Sequence, residues 1–405
     1  MYQILKIAIR DLGRNRRRSF FSALALAIGL ALLLLVASFF NGEMNSAMDS
    51  TIRLQSGHIQ VRAATYEESK ASLKWEDLVV DPEQIVAQIE SLDAVKLATP
   101  RLYASGIVAV REESAGVRIF GIDPLSEAND PYRVGMLEGE FLTPDDRQGV
   151  LIGEPLAEKM ALQVGDSINL SVNTSGGDVD EQAFTIRGIY STQTFGFDSL
   201  TVFMPIAKAQ TITQTEKHTS FIFVLLHNKD DADAVAAALQ GTNNQIRTWT
   251  QMNELILQTE AMANSYIYFM YLIVLGITAT VIINTLIMSV FERTREIGIL
   301  AAIGMKSRQI MSMFLLQSTL LAVGGVIMGL IFGLLVVTYF TQNGFYIGNM
   351  GLTGMLIGNT IYAQLTLEDT ITLTVISFII TLLAGLYPAM LASRMEPVQA
   401  LRGGK

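Results

Sequence analysis

The sequence predicts a membrane protein with four transmembrane α-helices and a large α+β extracytoplasmic domain between helices 1 and 2. Three observations predict it. Charged residues are missing from four long stretches, at 19–42, 261–291, 309–367 and 370–393. The charges that remain are sorted into opposite blocks along the chain. The long segment after the first apolar stretch alternates strand, turn and short-helix signals. Of the 405 residues, 50% are hydrophobic and only 17% are charged, against about 25% charged in a soluble domain. That excludes a disordered chain, a coiled coil and an ordinary soluble enzyme. Cysteine is absent, which excludes a disulfide framework and thiolate chemistry.

Residues 1–18 form a basic segment that opens the chain. Leu5, Ala8, Ile9 and Leu12 recur at helical spacing, while Lys6, Arg10, Arg14 and Arg17 fill another face. Such a helix either lies in the headgroup layer or acts only as a topology signal. Residues 19–41 are the first span, because roughly 20 apolar residues at 1.5 Å rise cross a bilayer core. The apolar run is longer than a signal-peptide core and no A-x-A-like site follows it, so a retained span is expected.

Residues 42–262 form the extracytoplasmic domain. Asp81-Pro82-Glu83 opens a helix with Ile85, Val86 and Ile89 on one face, and Pro suits a first turn. Leu97–Val110 and Val117–Gly121 read as strands around a turn at Glu112–Gly116. Ser167–Val172 and Gln182–Tyr190 form a hairpin across Gly176-Gly177. Ser199–Met204, Phe221–Leu226 and Gln245–Thr250 are further strands. Asp230–Leu239 is an Ala-rich helix with acids in its first turn, where the helix dipole favours them. From Gln251 the pattern turns helical and runs into the second span.

The second span is 263–290, and 291–308 is a short loop helix. The third span is 309–340. Residues 341–368 alternate Gly, Asn, Gln and Thr with isolated apolar positions, and are read as an uncharged, partly interfacial loop. The fourth span is 369–392 and the tail is 393–405. The two ends and the 291–308 loop carry 13 cations and 4 acids, whereas 43–260 carries 16 cations and 32 acids. The positive-inside rule therefore puts both termini and the loop helix in the cytoplasm and the large domain outside, in the cytoplasmic (inner) membrane. The acidity of that domain is read as a solubility device.

Catalytic and metal patterns are missing. His58, His218 and His227 lack metal-ligand spacing. No G-x-S-x-G or H-E-x-x-H occurs. Gly304-Met305-Lys306-Ser307 fails the phosphate-loop pattern, because Met305 separates Gly from Lys and Leu300 stands where the leading Gly belongs. The spans hold no Asp, Glu, Lys, Arg or His in 19–41, 263–290, 309–340 and 370–392, which weighs against an ion-coupled transporter. No cofactor is expected in this chain and no nucleic acid as a partner. Asn169 and Asn173 match N-x-[ST], which matters only in a glycosylating compartment.

The loop Phe291–Arg308, FERTREIGILAAIGMKSR, is the most informative stretch. Ile297, Leu300 and Ala301 form an apolar stripe, Gly298 is small, and Gly304 suits a C-cap. A helix this short is marginal alone, so it needs a docking surface. Its arginines and acids suit a polar protein groove. In the third span, Gly325, Gly329 and Gly333 form a G-x-x-x-G-x-x-x-G face for close helix packing, at a dimer interface or within the four-helix unit. Asn284 in the second span suits an interhelical hydrogen bond.

The run E-R-T-R-E-I-G-I-L-x-A-I-G at 292–304 closely resembles the signature of FtsX-like permeases of ABC transporters, the MacB and LolC/LolE superfamily. The end of the chain is similar to that family too: Ala384-Gly385-Leu386-Tyr387-Pro388-Ala389, then Glu396-Pro397-Val398-Gln399-Ala400-Leu401-Arg402, with Glu396 in place of the usual Asp. In the outer segment, Val150–Met160, Val164-Gly165-Asp166, Phe184–Tyr190 and Asp198–Gln210 follow the order of the family's core domain.

The resemblance implies a mechanism. The loop helix docks on a cytoplasmic ABC ATPase through Glu292, Arg293, Arg295, Glu296, Ile297, Leu300 and Gly304. ATP and Mg would be bound by that partner, and the outer domain moves with its cycle. Some members carry the ATPase fused at the N-terminus; here it is expected as a separate subunit. A second permease subunit, identical or related, membrane lipid and a periplasmic carrier or adaptor are the other implied partners. Phe39–Met44 (FFNGEM) is similar to a stretch after the first span of the lipoprotein-release permeases, which points toward lipoprotein release. No long insertion separates Thr192 from Ser199, where a carrier-recruiting hook would be sought. MacB-type efflux of drugs or peptides, and a transmembrane signalling regulator of the cell envelope, are the alternatives.

Overall fold

The computed structural model describes residues 2–14, 16–67, 70, 72–240, 244–348 and 356–395, with the side chains of 2–5 and 11 undescribed. The tail motif at 396–402 falls outside the described residues. Two compact units form: 1–44, 260–345 and 361–405 in one, and 45–259 with 346–360 in the other.

The first unit is a helical bundle. Its long helices are Arg16–Thr51, Glu254–Glu292, Ser307–Asn343 and Leu367–Ser393. Each contains a stretch long and apolar enough to cross a membrane. In hydrocarbon each backbone group must find its partner inside the segment, and a helix achieves this. The fourth helix starts sharply, because the Thr366 hydroxyl accepts from the Asp369 N–H at 3.0 Å, a standard N-cap. Leu26, Leu30, Leu33 and Leu34 of the first span form the centre of the bundle. They pack with Leu275, Ile282 and Leu286 of the second, Leu321 and Val326 of the third and Leu373 of the fourth.

The glycine face of the third span lies against the first span, within the four-helix unit. A Cβ on Gly325 would sit 2.7 Å from Leu26 Cδ2, one on Gly329 3.0 Å from the Ala27 Cα, and one on Gly333 2.9 Å from Leu34 Cδ1. Hydrogen bonds also join the helices. Ser22 Oγ donates to Thr285 Oγ1 at 2.7 Å, and Ser318 Oγ to the Thr381 carbonyl at 3.1 Å. Asn284 does not take part in this core. It is exposed on the outer face of its helix, so hydroxyls make the interhelical bonds expected of its amide.

The second unit is built on a ten-stranded sheet among the described residues. In chain order the strands are β1 (Ile59–Ala63), β2 (Val79–Val80), β3 (Val95–Val110), β4 (Glu113–Ile122), β5 (Met136–Gly139) and β6 (Gly149–Gly153). They continue as β7 (Ser167–Asn173), β8 (Val179–Tyr190), β9 (Thr201–Pro205), β10 (His218–Thr219), β11 (Phe221–Leu226) and β12 (Asn244–Thr248). The sheet order is β12-β1-β11-β3-β4-β9-β6-β8-β5, with β7 bridging β3 and β8, while β2 and β10 pair separately. Pairing is antiparallel except for β4 with β9 and β6 with β8.

The β3–β4 turn is tighter than the sequence suggests. Val110 pairs with Glu113, so only Arg111 and Glu112 form the loop. Arg111 adopts φ +56°, the positive φ that such short hairpin loops require. Ser114-Ala115-Gly116, whose composition reads as turn, is strand instead.

The helix Pro82–Glu90 and the helix Ala232–Ala238 cover one region of the sheet, burying Ile89 and Val235 with Ile59, Ile222 and Val224. Another core forms around Val150, Ile152, Ile168, Phe184, Val202 and Met204. A third is aromatic: Tyr132, Tyr190, Phe120 and Phe197 surround Phe203, with Tyr132 and Phe203 centroids 4.2 Å apart. Part of the segment read as a partly interfacial loop joins this unit. Ile347 N–H donates to the Asn359 carbonyl and Asn359 N–H to the Gln193 carbonyl, both at 2.9 Å, while Leu356 packs on the aromatic core.

Asp198 borders the aromatic core. Its carboxylate accepts from Thr192 N–H at 2.9 Å and Thr192 Oγ1 at 2.7 Å. Burial outweighs these bonds and raises its pKa from 3.8 to about 6. A raised folded-state pKa means that the neutral acid suits the fold. Its stabilising contribution is complete below the unfolded pKa and disappears as pH rises through about 6. A shift of this size corresponds to about 3 kcal/mol at most. Thermal unfolding of the full chain, followed through Trp75 and Trp249, should show Asp198→Asn narrowing the difference between pH 5 and pH 8. An unchanged difference would refute the assignment.

Candidate functional site

The loop helix is Thr294–Ala302, set between the ends of the second and third spans. The sequence breaks the helix at Arg293, whose N–H still reaches the Val290 carbonyl at 3.1 Å. Gly304, at φ +101°, closes the other end. Gly304 N–H donates to the Ala301 carbonyl and Met305 N–H to the Leu300 carbonyl, each at 3.0 Å. This is the double bond of a Schellman cap. Nothing lies within 4 Å of a Cβ built on Gly304, so its backbone angle, and not space, favours glycine.

The helix has two apolar faces. Ile297 is buried at 2% exposure among Val290, Ile310, Met313, Phe314, Ala389 and Ala392, and Ala301 packs on the same cluster. Leu300 is half-buried. The stripe expected to need a docking partner is thus largely taken up by the bundle itself. The opposite face carries Arg295, Ile299, Ala302 and Ile303, all exposed. Ile299 is 43% and Ile303 80% exposed. Both faces follow helical spacing, so periodicity alone did not say which one points inward.

The charged residues divide in the same way. Arg14 Nη2 meets Glu296 Oε1 at 2.8 Å, and Arg18 Nη1 meets Glu292 Oε2 at 3.1 Å. Arg18 also donates to the Thr285 carbonyl. Arg293 is buried. Arg295 forms no ion pair among the described residues. Glu292 and Glu296 therefore hold the N-terminal segment, although both keep exposed surface. Exposed pairs of this kind stabilise weakly, so the contacts can exchange.

The N-terminal helix Tyr2–Arg14 is more than a surface anchor. Ala8 is fully buried, Ile7 packs on the cluster around Ile297 and Leu12 on the bundle core. Ile9 is 54% exposed, and Lys6 and Arg10 face outward.

One feature of the second unit gave no sequence signal. The helix Arg16–Thr51 is followed by a π-helical turn, Ile52–Ser56. The Leu54 carbonyl in that turn accepts from Arg101 Nη1 at 3.0 Å and from Tyr132 Oη at 2.6 Å. Arg101 is fully buried and lies 3.7 Å from the Phe223 ring centroid, a cation–π contact. Burial lowers its pKa, and Tyr132 opposes the shift. An arginine in a strand reads as a surface residue until the fold is known.

No group of three or more metal-ligating residues forms among the described residues. Residues 300–305, in the stretch that fails the phosphate-loop pattern, form the end of the loop helix and its cap.

Comparison with known proteins adds the lineage. A family model described as the MacB-like periplasmic core domain matches residues 19–242, and one described as the FtsX-like permease C-terminal matches 268–397. The lipoprotein-releasing system transmembrane protein LolC of Neisseria meningitidis is 23% identical over 426 residues, covering 98% of each chain. LolE of the same-named system in Haemophilus influenzae is 22% identical over 94% of this chain and 93% of that protein. The macrolide export ATP-binding/permease protein MacB of a Shewanella species is 23% identical over 98% of this chain, which spans 60% of that protein's length.

Proposed function

The chain belongs to the FtsX-like permease superfamily of ABC transporters, with a MacB-like core domain, and from that premise we propose that it is the subunit through which a separate ATPase moves an extracytoplasmic domain. The observation that carries this reading is the exposed Arg295–Ile299–Ile303 face on a short helix between two spans. Isolated exposed apolar side chains are ordinary, but paired with an arginine on one helix face they suit a protein groove. Glu292 and Glu296 frame that face and Gly304 ends it. ATP and Mg bind to the partner. The spans offer no charged pathway, so they transmit movement in place of conducting a solute. The positive charge of the ends and the loop supports a cytoplasmic location for both.

The cargo reading is lipoprotein release. The match with the lipoprotein-releasing protein LolC over 98% of each chain supports it. A second permease chain completes the complex. Export of drugs or peptides through an adaptor is the second reading. It draws on residues 192–199, which close with the short helix Phe195–Asp198 and extend no arm.

Affinity purification of the full chain in detergent tests the core of the proposal. An ABC ATPase should co-purify, and ATP hydrolysis should be measurable in that complex and absent from the chain alone. Hydrolysis by the chain alone, or a complex without an ATPase, would overturn it. Lipoprotein co-purifying with the complex, and lost on ATP addition, separates the two cargo readings.

A further inference from the structure

A recess of about 640 Å³ is lined by Gly13, Arg14, Arg16, Arg17, Arg18 and Glu292. We propose that it binds the phosphoryl headgroup of an anionic membrane lipid. Three of its arginines, 16, 17 and 18, occupy the first turn of the helix Arg16–Thr51, and that turn contains no acid. A helix N-terminus carries partial positive charge and favours anions, so three cations there repel the dipole as well as one another. Glu292 is the single acid lining the recess, and it already pairs with Arg18. Arg14 is paired with Glu296. Arg16 Nε donates to the Gly13 carbonyl at 3.1 Å, and neither Arg16 nor Arg17 forms an ion pair among the described residues. An outside anion would relieve this excess of positive charge.

The next residues identify the source of the anion. Phe20 is 54% and Phe21 63% exposed, with their rings 5.8 Å apart edge to face. They follow the arginines after Ser19 and open the apolar span. Exposed rings one turn from a cationic recess put the recess at headgroup depth, with acyl chains beside the rings. Basic pockets beside spanning helices take anionic headgroups in this way. A lipid supplies phosphate and chains together, whereas a soluble phosphate would use the arginines alone.

The test uses the full chain in detergent, titrated with phosphatidylglycerol or phosphatidylcholine of identical acyl chains, with bound lipid read by native mass spectrometry. Phosphatidylglycerol should be retained at least about tenfold better, from the attraction of two unpaired arginines. R16Q/R17Q should lose most of that preference. K6Q/R10Q, with the same charge change on the helix before the recess, should keep it. R17Q alone, the milder change, should reduce the preference if the double variant does not fold. Equal retention of the two lipids, an unchanged preference in R17Q, or equal losses in both double variants would overturn the proposal. Displacement of the lipid by millimolar inorganic phosphate would assign the recess to a soluble anion and overturn the lipid as its ligand.

Discussion

Aspartate at both Ile299 and Ile303 should lower ATP hydrolysis by the assembled complex at least about tenfold, with the chain still folded. The two side chains stand exposed on one face of the loop helix, so charge there disturbs nothing inside the chain. In a groove the same carboxylates would have to be stripped of water. Central anchor residues of protein interfaces commonly contribute about 2 kcal/mol or more each, and two of them exceed a tenfold change in affinity. Arg295→Glu should act in the same direction. Ile297→Ala provides the contrast, because that side chain is enclosed by Phe314, Met313 and Ala389. Its loss leaves a cavity, and the expected result is lower thermal stability of the chain itself, by about 2–5 kcal/mol. ATPase stimulation that survives the double aspartate variant would remove this face from the docking surface. The comparison is made at equal amounts of folded complex, by size-exclusion chromatography and ATPase assay.

Leucine at Gly329 should prevent the bundle from forming in its native arrangement. A single Cβ already meets the Ala27 Cα and carbonyl oxygen at 3.0 Å. Those are backbone atoms of the neighbouring span and cannot swing aside. The larger side chain has to separate the first and third helices, which also loosens Gly325 and Gly333 from Leu26 and Leu34. Overpacking in a dense core costs about 1–3 kcal/mol, and this one disrupts a contact extending over several turns. The expected outcome is loss of monodisperse protein after extraction. Gly329→Ala should be milder. Gly324→Ala is the control, since no atom lies within 4 Å of a Cβ at Gly324; it should leave stability unchanged or raise it slightly through helix propensity. Normal behaviour of Gly329→Leu would show that the two helices do not meet through this face.

The spans were legible because lipid removes charge from any segment that crosses it, and 19–42, 261–291 and 370–393 keep that record. The glycine face of the third span was legible as packing, while its partner helix was not, because spacing on one helix says nothing about which neighbour fills it. The loop helix shows the same limit more sharply. The sequence placed an apolar stripe at Ile297, Leu300 and Ala301, and the fold turns that stripe inward against Phe314 and Ala389. Arg295, Ile299 and Ile303 have the same periodicity, and only the packing of the third and fourth spans decides between the two faces. The β3–β4 turn is shorter than its composition indicates, because Ser, Ala and Gly at 114–116 suit a turn in isolation and a strand once Leu102–Val110 is there to pair with them. Arg101 could not be found at all. Nothing in its neighbours in sequence reveals that Phe223, Tyr132 and the Leu54 carbonyl converge on it.

The chain contains no cysteine, so a single Ile303→Cys variant carries one thiol at the tip of the loop helix. In native membranes a short thiol-to-amine crosslinker should join that position to the ATPase, and an Ile297→Cys variant should give no adduct because its site is enclosed. A thiol at Ile303 that reacts with a membrane-impermeant reagent from the same side as one in the large domain, or that labels readily yet never captures the ATPase, would contradict the account.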